Sequence, residues 1–405
     1  MSFFAKIPTV LTDDAKIREL LTRGVERIYP SAESLEKGLR SDRRLSLYLG
    51  IDPTGSSLHI GHAIPLLKLR QFQELGHRVI LLIGDFTGMI GDPTDKSAAR
   101  KRLTRRETLN NARLYKEQAG HLISFEGKNP AELKCNSEWL GKLSFEDSFE
   151  ISSNLTYTQL VKRDMFQKRI EEGKELYMHE FLYPLMQGYD SVAMDVDGEV
   201  GGNDQTFNML VGRDLMKKIK NKEKFVVAMK LLTDPSGAKM GKTEGNMVAF
   251  SDTPSDVFGK LMSWPDSQIL SGFELCTIAP LSEIEGIKRQ LESGANPKES
   301  KMRLAEAIVS LLHGEAAAKK ARTSFDAAFT EGKPEEFVEI VLAGRKVVEA
   351  LMAERIVASK RELRRLTHEG AVTNLDSNKK MDEVFLNFTP PGKYRIGKHR
   401  FIRIC

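Results

Sequence analysis

The 405-residue sequence contains no run of eighteen apolar residues, so no transmembrane helix is expected. Its first residues, Met-Ser-Phe-Phe-Ala-Lys-Ile-Pro, show no basic stretch followed by an apolar core, which predicts that no secretory signal is present. Internal repeats and low-complexity segments are also absent. These absences argue against a membrane-spanning or secreted protein, and with the scarce cysteine they lead us to expect a cytoplasmic one.

Cysteine is scarce. The three cysteines, Cys135, Cys276 and Cys405, are scattered and odd in number, which argues against a disulfide framework and indicates a reducing compartment. No cluster of cysteine and histidine has the spacing of zinc ligands, so we expect no zinc and no protein-built metal site.

The composition is that of a globular protein, since 40% of the residues are hydrophobic and 29% are charged. The length is sufficient for two or three domains. The net charge of +5 is unevenly distributed: between Arg345 and Cys405 there are 14 Lys/Arg and 7 Asp/Glu, a net charge of +7, which leaves −2 for the rest. A basic tail on a nearly neutral body indicates a polyanionic partner for the tail.

The most informative stretch lies between a predicted strand, Leu45–Ile51, and a predicted helix from Ala63 to about Leu75. Asp52-Pro-Thr-Gly55 predicts a turn, and His59-Ile-Gly-His62 precedes the helix. A loop that enters a helix N-terminus favours phosphate binding, because backbone N–H groups and the positive end of the helix dipole face the ligand. Gly61 permits close approach of a ring or ribose, and two imidazoles can donate to a polyphosphate. Surface histidines at a helix start are the alternative.

Arg78–Gly84 follows as an almost continuous apolar run, as in a strand that is buried on both faces. Strand, helix and strand predict a parallel α/β sheet. The next loop carries Asp85 and Asp92 and continues into basic residues that include Lys96 and Arg100. Acidic groups at the strand end suit an ammonium ligand and the basic ones suit a polyphosphate, whereas a solvated helix-entry loop is the alternative.

The segment from about 104 to 180 has a mostly helical pattern and interrupts the succession of strands, which predicts an insertion between two halves of a nucleotide-binding sheet. Tyr183, Gln187 and Asp190 then recur at four and three residues, so a helix places them on one face. Such a face suits recognition of a small polar ligand. A solvated helix face is the alternative.

The second half of the sheet is predicted from two strands, Ser191–Asp197 and Lys224–Leu232. The first leads to a glycine-rich crossing, Glu199–Gln205, and ligands of doubly wound sheets bind at such carboxyl ends. The second leads to a loop of Gly, Pro and Ser that carries Lys239 and Lys242. Loop lysines can close over a phosphate, although alone they are a weak motif.

Three domains are predicted. They are an α/β domain over residues 1–250 with a helical insertion at about 104–180, a helical domain over 251–335, and a small α+β domain over 343–405. Within the first, Asp13–Ile28 has the pattern of a single amphipathic helix.

Together these motifs resemble those of bacterial-type tyrosyl-tRNA synthetases, which are class I aminoacyl-tRNA synthetases, over nearly the whole chain. His59-Ile-Gly-His62 matches the first class I motif without departure. Lys239-Met-Gly-Lys-Thr243 is similar to the second, Lys-Met-Ser-Lys-Ser, with Gly241 and Thr243 in place of the serines and both lysines kept. The resemblance implies a Rossmann-like parallel-sheet catalytic domain with a helical insertion, a helical domain involved in tRNA binding, and a C-terminal RNA-binding domain of the ribosomal-protein type.

The resemblance also implies site residues. For tyrosine they are Tyr48 and Asp190 at the phenol, Asp92, Tyr183 and Gln187 at the ammonium, and Gln205 near the carboxylate. For ATP they are Gly50, Asp52, Pro53, His59, Gly61, His62, Gly202, Asp204, Leu231, Leu232 and Lys242. The catalytic set is Thr54, His59, His62, Lys239, Lys242 and Thr243, with Lys96 and Arg100 on the pyrophosphate side. In the tail, Lys360, Arg361, Arg364 and Arg365 face RNA.

The implied activity is that of a tyrosine–tRNA ligase, which activates tyrosine with ATP to tyrosyl-adenylate and pyrophosphate and then transfers tyrosine to the 3′ end of tRNA(Tyr). Positioning and charge stabilisation suffice for this chemistry, so no protein nucleophile is needed. Mg²⁺ is expected on the nucleotide rather than in a protein cage. A homodimer formed through the inserted helical segment is also implied.

Three other functions remain open at this point. A tryptophan ligase is disfavoured because Tyr48 and Asp190 have no hydroxyl to bond on an indole. A relative that binds RNA without charging it is disfavoured by the intact histidine and lysine motifs. A nucleotidyltransferase of small-molecule metabolism, which also uses a His-x-Gly-His loop, is disfavoured by the basic tail. Amino-acid-dependent ATP–pyrophosphate exchange with each of the standard amino acids is the most informative experiment, and it decides between tyrosine and tryptophan.

Overall fold

The computed structural model describes residues 9–94, 103–233, 247–329, 337–342, 344–354, 356–357, 359–382, 390–397 and 400–405. The chain forms two compact units. The first comprises the residues up to Asp252 together with Trp264–His313, and the second comprises Thr253–Ser263 and the residues from Gly314 onward. The predicted helical region 251–335 therefore contributes to both units.

A six-stranded sheet forms the centre of the first unit. Its strands are β1 (Val25–Tyr29), β2 (Ser46–Ile51), β3 (Arg78–Ile83), β4 (Glu132–Cys135), β5 (Gly198–Gly202) and β6 (Phe225–Met229). Their order is β1-β6-β5-β2-β3-β4. All neighbours are parallel except β1, which runs antiparallel to β6. The parallel α/β architecture predicted from the sequence is confirmed.

Helices pack on this sheet and build part of the second unit. They are α1 (Asp14–Thr22), α2 (Ala32–Leu39), α3 (Ile60–Glu74), α4 (Thr87–Ile90), α5 (Arg105–Ala112), α6 (Tyr115–Ala119), α7 (Ser137–Leu140), α8 (Phe145–Ser152), α9 (Tyr157–Val161), α10 (Asp164–Glu171), α11 (Met178–Met194), α12 (Thr206–Lys220), α13 (Pro254–Met262), α14 (Ile269–Cys276), α15 (Leu281–Glu292), α16 (Pro297–His313), α17 (Glu315–Phe329), α18 (Val347–Ala353) and α19 (Lys360–His368). Within the described ranges, every helix is too short or too polar to cross a membrane.

The predicted single helix Asp13–Ile28 is wrong. Helix α1 ends at Thr22, and Gly24 adopts a positive φ of 64° that a helix cannot continue through. The following residues, Val-Glu-Arg-Ile-Tyr, form β1 and pair with β6. Tertiary pairing at the sheet edge thus overrides a helical pattern that is compatible with the same residues.

The predicted strand Ser191–Asp197 is also wrong. Helix α11 continues to Met194 and ends at Asp195, which has the left-handed conformation common at helix C-termini. Strand β5 begins at Gly198, inside what the sequence indicated as a loop. The strand is hard to identify from the sequence because it is rich in glycine. Space is short there: a Cβ on Gly201 would lie 2.9 Å from the sulfur of Met209. Close packing of β5 against α12 therefore requires glycine where a typical strand has a β-branched residue.

The segment 104–180 is not entirely helical. Strand β4 lies inside it and pairs parallel with β3 as the edge strand of the sheet. The Glu132 carboxylate in β4 accepts two hydrogen bonds from the Arg78 guanidinium, at 2.6 and 2.7 Å. An edge strand that is only partly buried lacks the apolar run that identifies β3, so its residues carry no clear strand signal.

The second unit contains a five-stranded sheet. Its strands are β7 (Val338–Ile340), β8 (Val372–Asn374), β9 (Lys379–Lys380), β10 (Gly392–Ile396) and β11 (Arg400–Ile404), in the order β7-β11-β10-β8-β9. Helices α18 and α19 pack on it around a buried core that includes Leu351, Leu363, Tyr394 and Ile402. The predicted α+β character of the tail is therefore present in the structure.

Candidate active site

The start of α3 has the geometry of an anion site. The helix begins at Ile60, three residues before the predicted start, because His59 acts as its N-cap. The Nδ1 atom of His59 accepts a hydrogen bond from the Gly61 N–H, and the Nδ1 atom of His62 accepts one from the His59 N–H, both at 3.1 Å. Since both Nδ1 atoms are acceptors, each neutral ring carries its proton on Nε2. The two rings, 3.9 Å apart between centroids, thus present Nε2 donors.

The chain returns to this helix start just after residues 234–246. The Ile60 N–H donates to the Val248 carbonyl and the Phe250 N–H donates to the Leu58 carbonyl, both at 2.9 Å. His59 and Ala249 form the antiparallel bridge between the two segments. The predicted lysine-loop residues Lys239, Lys242 and Thr243 lie outside the described residues, as do Lys96 and Arg100.

Tyr48, on β2, lies among buried polar side chains that define the candidate pocket, together with Asp190, Ser191 and Tyr183. Its side chain is fully buried, and its hydroxyl lies 3.0 Å from the Ser191 Oγ. Burial raises the pKa of the Tyr48 phenol well above its ordinary value, and the charges of Glu199 and Asp190 act in the same direction. The phenol therefore stays neutral and can both donate and accept.

Asp190, on α11, is held by donors from the segment that follows β4. Its carboxylate accepts hydrogen bonds from Trp139 Nε1 at 2.7 Å and from Asn136 Nδ2 at 3.3 Å. Burial raises the pKa of the Asp190 carboxyl well above its ordinary value, opposed by these two hydrogen bonds and increased by the charge of Glu199. This is a carboxylate oriented for a specific buried partner.

Asp52 supports Tyr183 at the middle of the pocket. The Tyr183 hydroxyl donates to one Asp52 oxygen at 2.8 Å, and the Thr87 hydroxyl donates to the other at 2.7 Å. Asp52 thus positions a residue predicted to bind the ammonium, in addition to lying beside the predicted nucleotide site. The sequence had grouped Asp85 with Asp92 as ligands for an ammonium. That is wrong for Asp85, whose buried carboxylate accepts the N–H and hydroxyl hydrogen bonds of Ser137.

Asp92 and Gln205 come together at the pocket mouth. Gln205 Nε2 donates to Asp92 Oδ2 at 2.6 Å, and the other Asp92 oxygen accepts from the backbone and hydroxyl of Thr94. Gln187 lies on the same face of α11 as Tyr183, and its amide donates to Glu199 at 3.0 Å. The structure therefore joins Asp92 to Gln205, places Tyr183, Gln187 and Asp190 on α11, and places Tyr48 of β2 beside Ser191 of the same helix.

The described nucleotide-site residues also follow the carboxyl ends of strands. Gly50 lies near the end of β2, followed by Pro53 and Thr54, while Leu231 and Leu232 follow β6. At the end of β5, a Cβ on Gly202 would lie 2.4 Å from the Asp204 carboxylate and 2.9 Å from Leu231. Glycine is therefore required there for Asp204 and the residues after β6 to approach one another.

In the second unit, the four predicted RNA-binding residues are exposed on α19, while Leu363 and Leu366 on its other face are buried. They are not equivalent. Arg365 forms an ion pair with Glu369 at 2.8 Å, and Lys360 lies 4.0 Å from Glu349. Arg361 and Arg364 have no ion pair with any residue that the structure describes, so their charges are available to a polyanion.

Several polar pocket residues were not identified from the sequence. They are Thr87, Asn136, Trp139, Ser191, Glu199 and Lys224. A signal was present for Glu199 and Lys224, because each is a charged residue inside or directly before a buried strand, where an ion needs a partner. Asn136 and Trp139 gave none, since the strand that positions them was not predicted.

The comparisons with known proteins show the family of this chain. The chain matches the family described as tRNA synthetases class I (W and Y) over residues 40–330. Tyrosine–tRNA ligase 2 of Vibrio cholerae is 42% identical over 389 residues, which are 95% of this chain and 97% of that protein. Tyrosine–tRNA ligase of Haemophilus influenzae is 40% identical over 399 residues, 97% of this chain and 98% of that protein.

A solved structure shows the same fold. The crystal structure of a C-terminally truncated Aspergillus nidulans mitochondrial tyrosyl-tRNA synthetase matches with a TM-score of 0.68 at 20% identity, covering 78% of this chain and 95% of that one. The family match extends over more than half of the sequence, and the curated relatives match nearly end to end. The chain therefore belongs to the bacterial-type tyrosyl-tRNA synthetases, within class I.

Proposed function

We propose that the pocket of this tyrosine–tRNA ligase binds tyrosine with its phenol against Tyr48 and Asp190 and its carboxylate toward α3. The enzyme activates tyrosine with ATP to tyrosyl-adenylate and pyrophosphate, and then transfers the tyrosyl group to the 3′ end of tRNA(Tyr). The observation that carries the pose is a cluster of buried polar groups: Tyr48, Asp190 and Ser191 are almost completely inaccessible to solvent, and the Tyr48 hydroxyl lies 3.0 Å from Ser191. An amino acid without a hydroxyl leaves those groups unpaired.

The ammonium of tyrosine is assigned to Asp92, Tyr183 and Gln187. Asp92 supplies the negative charge, and its hydrogen bonds to Gln205 and Thr94 fix its orientation before substrate arrives. Tyr183 is oriented by Asp52 in the same way. Gln205 then faces the substrate carboxylate. Because these groups are already in place, they hold the bound tyrosine with its attacking carboxylate oxygen directed toward the α-phosphate.

The polyphosphate is assigned to the start of α3. When the tyrosine carboxylate attacks the α-phosphorus, the bond to pyrophosphate breaks and negative charge grows on the leaving group. The Nε2 donors of His59 and His62, with Thr54, Lys239 and Lys242, stabilise that charge. Mg²⁺ is expected to enter with ATP as part of the substrate, bound to the phosphate oxygens.

ATP–pyrophosphate exchange with each standard amino acid tests this function. Tyrosine is expected to support exchange, and phenylalanine and tryptophan are expected to support far less. Exchange that is fastest with tryptophan, or independent of any amino acid, would contradict the proposal.

Tyr48→Phe is expected to have a mild effect. The ring remains and one hydrogen bond to the substrate phenol is lost, which costs roughly 0.5–1.5 kcal/mol when both partners are neutral. The ratio of kcat/KM for tyrosine to kcat/KM for phenylalanine should decrease by the factor that corresponds to this free energy. Adenylation kinetics with both amino acids measure it, and Tyr189→Phe, on the partly buried side of α11, is the matched control. An unchanged ratio in Tyr48→Phe would remove Tyr48 from phenol recognition.

The basic tail is assigned to tRNA. Arg361→Ala with Arg364→Ala is expected to weaken tRNA charging while leaving tyrosine-dependent exchange intact, because exchange does not use tRNA. The slope of log tRNA affinity against log salt concentration should become shallower by about two, roughly one for the phosphate contact of each arginine. Arg365→Ala is the comparison, since its charge is already paired with Glu369 and its loss should matter less. An unchanged salt dependence in the double variant would exclude this role.

A homodimer is proposed through the segment 104–180. Four large apolar or aromatic side chains there are more than half exposed, namely Phe145, Phe149, Tyr157 and Met178. Such a patch supports contact with a second copy of the chain, and the sedimentation coefficient of the purified protein tests it. A cytoplasmic location is also proposed, supported by three free cysteines.

A further inference from the structure

A buried ion pair lies beneath the proposed tyrosine pocket. The Lys224 ammonium donates to the Glu199 carboxylate, and both side chains are almost completely inaccessible to solvent. Glu199 is the register partner of Tyr48 across the β2–β5 pair, so the two side chains point to the same face of the sheet. The Lys224 ammonium lies 5.6 Å from the centre of the Tyr48 ring. The ion pair therefore lies directly beside Tyr48, the residue that is assigned to the phenol.

The second Glu199 oxygen connects the pair to the other end of the substrate site. It accepts the amide hydrogen bond of Gln187 at 3.0 Å. Gln187 is assigned to the substrate ammonium, so a single carboxylate links a group at the ammonium end with Lys224, which lies near the Tyr48 ring. The Met209 carbonyl, 3.2 Å away, is the remaining acceptor for Lys224.

The surrounding backbone is built to admit Lys224. A Cβ on Gly212 of α12 would lie 2.6 Å from the Lys224 ammonium. Glycine at this position therefore leaves space for the lysine ammonium between α12 and its neighbours. A buried ion pair contributes little net stability compared with apolar residues of the same size, so a pair kept at this position points to a role other than stability.

We propose that Glu199 and Lys224 are positioning residues for tyrosine recognition: Glu199 orients Gln187, and Lys224 neutralises Glu199 so that Asp190 remains the one negative acceptor at the phenol end. The inference rests on the proposed assignment of Asp190 and Gln187. The charges of Asp190, Glu199 and Lys224 then sum to −1. One negative charge is left to accept the one hydrogen bond that the substrate phenol donates.

Each single variant is expected to disturb this charge balance in a different way. Lys224→Met leaves Asp190 and Glu199 as two unneutralised anions. Glu199→Gln leaves Lys224 with Asp190 as its counter-ion, in competition with the phenol. Either change should raise KM for tyrosine by about tenfold, as expected for loss of one buried polar contact, with kcat near that of the wild type.

The double variant, Glu199→Gln with Lys224→Met, separates charge balance from packing. It restores the net charge of −1, and the amide oxygen that replaces the carboxylate can still accept from Gln187. Its KM for tyrosine should return to within about threefold of the wild type, far below the product of the two single effects. Lys68→Met removes the other deeply buried lysine, which bonds the Leu20 carbonyl outside the pocket. That control should lower the melting temperature without raising KM for tyrosine.

The pH profile of kcat/KM for tyrosine gives a readout that packing alone does not move. Asp190 is faced by Glu199, by Asp52, by Lys224 and by the phenols of Tyr48 and Tyr183. Because the carboxylate form accepts the phenol, activity falls as Asp190 is protonated. Removing the Glu199 charge should move this acidic limb to lower pH, and removing the Lys224 charge should move it to higher pH.

Additive effects in the double variant, with acidic limbs unshifted from the wild type in both single variants, would overturn the inference. Failure of the pocket assignment itself has a different signature. In that case Asp190→Asn would leave the preference for tyrosine over phenylalanine unchanged. If Asp190→Asn abolishes the preference while the pair behaves additively, the pocket stands and only the role of the ion pair is wrong.

Discussion

Asp190→Ala is expected to lower kcat/KM for tyrosine activation by a hundredfold or more. The substrate phenol loses its charged acceptor, and Trp139 Nε1 and Asn136 Nδ2 lose theirs at the same time. Leaving the buried phenol without its charged acceptor costs about 3 kcal/mol, which corresponds to an effect on the order of a hundredfold. The donors Trp139 and Asn136 are unpaired in the free variant as well, so their loss lowers its stability rather than kcat/KM. Exchange kinetics over a range of tyrosine concentrations measure the loss.

The matched control for this variant is Asp214→Ala. Asp214 is an exposed carboxylate on α12, outside the pocket, and its removal should change kcat/KM for tyrosine less than about twofold, as is usual for an exposed side chain outside the site. Asp190→Asn should fall between the wild type and Asp190→Ala, because the amide oxygen can accept one of the two protein hydrogen bonds. An Asp190→Ala enzyme within threefold of the wild type would show that the phenol is bound elsewhere.

The same residue determines an expected pH dependence. Burial raises the pKa of Asp190 above the ordinary carboxyl value, so its protonated form appears at higher pH than for an exposed aspartate. Since only the carboxylate accepts the phenol proton, kcat/KM for tyrosine should fall as the pH drops through that raised pKa. The remaining activity of Asp190→Asn should lack this limb.

The sequence predicted the part of the site that has strong local signals. Three local signals each lie within a few residues: the continuous apolar run of β3, the turn after β2 and the histidine motif. From such signals the first βαβ unit and the face of α11 that carries Asp190 were predicted correctly. The polar surroundings of Asp190 and Tyr48 were not. Asn136 and Trp139 follow an edge strand without an apolar run, and Ser191 was placed in a strand that is the last turn of α11.

These misses have a common physical cause. The pairing of β4 with β3 and the close packing of β5 on α12 are long-range contacts, which no local pattern reports. A glycine-rich strand such as β5 has the composition of a loop, because its neighbours approach too closely for side chains. Once β5 is placed, Glu199 moves from a predicted loop to a strand position beside Tyr48. The buried charges around Tyr48 and Asp190 were thus the least predictable part of the candidate site.

Lys242→Ala is the second variant with a large expected effect. In the sequence, Lys242 lies between β6 and the segment that pairs with the start of α3 through Val248 and Phe250. The chain that follows Lys242 is thus bonded to the segment that carries His59 and His62, where the polyphosphate is assigned. We propose that Lys242 contacts the leaving pyrophosphate most strongly as its charge grows; its loss is then expected to raise the barrier rather than to weaken the ground state.

Single-turnover kinetics distinguish these two effects. The rate of adenylate formation in Lys242→Ala should fall on the order of a hundredfold or more, which is typical for loss of one charge-stabilising donor, while the Kd for tyrosine stays close to that of the wild type. Lys217→Ala, an exposed lysine near the end of α12, is the matched control and should change neither quantity. The opposite pattern, an unchanged rate of adenylate formation with weaker tyrosine binding, would place Lys242 at the amino acid rather than at the pyrophosphate. Because tyrosine and pyrophosphate lie on opposite sides of the α-phosphorus in the attack, one measurement of rate and one of affinity decide between them.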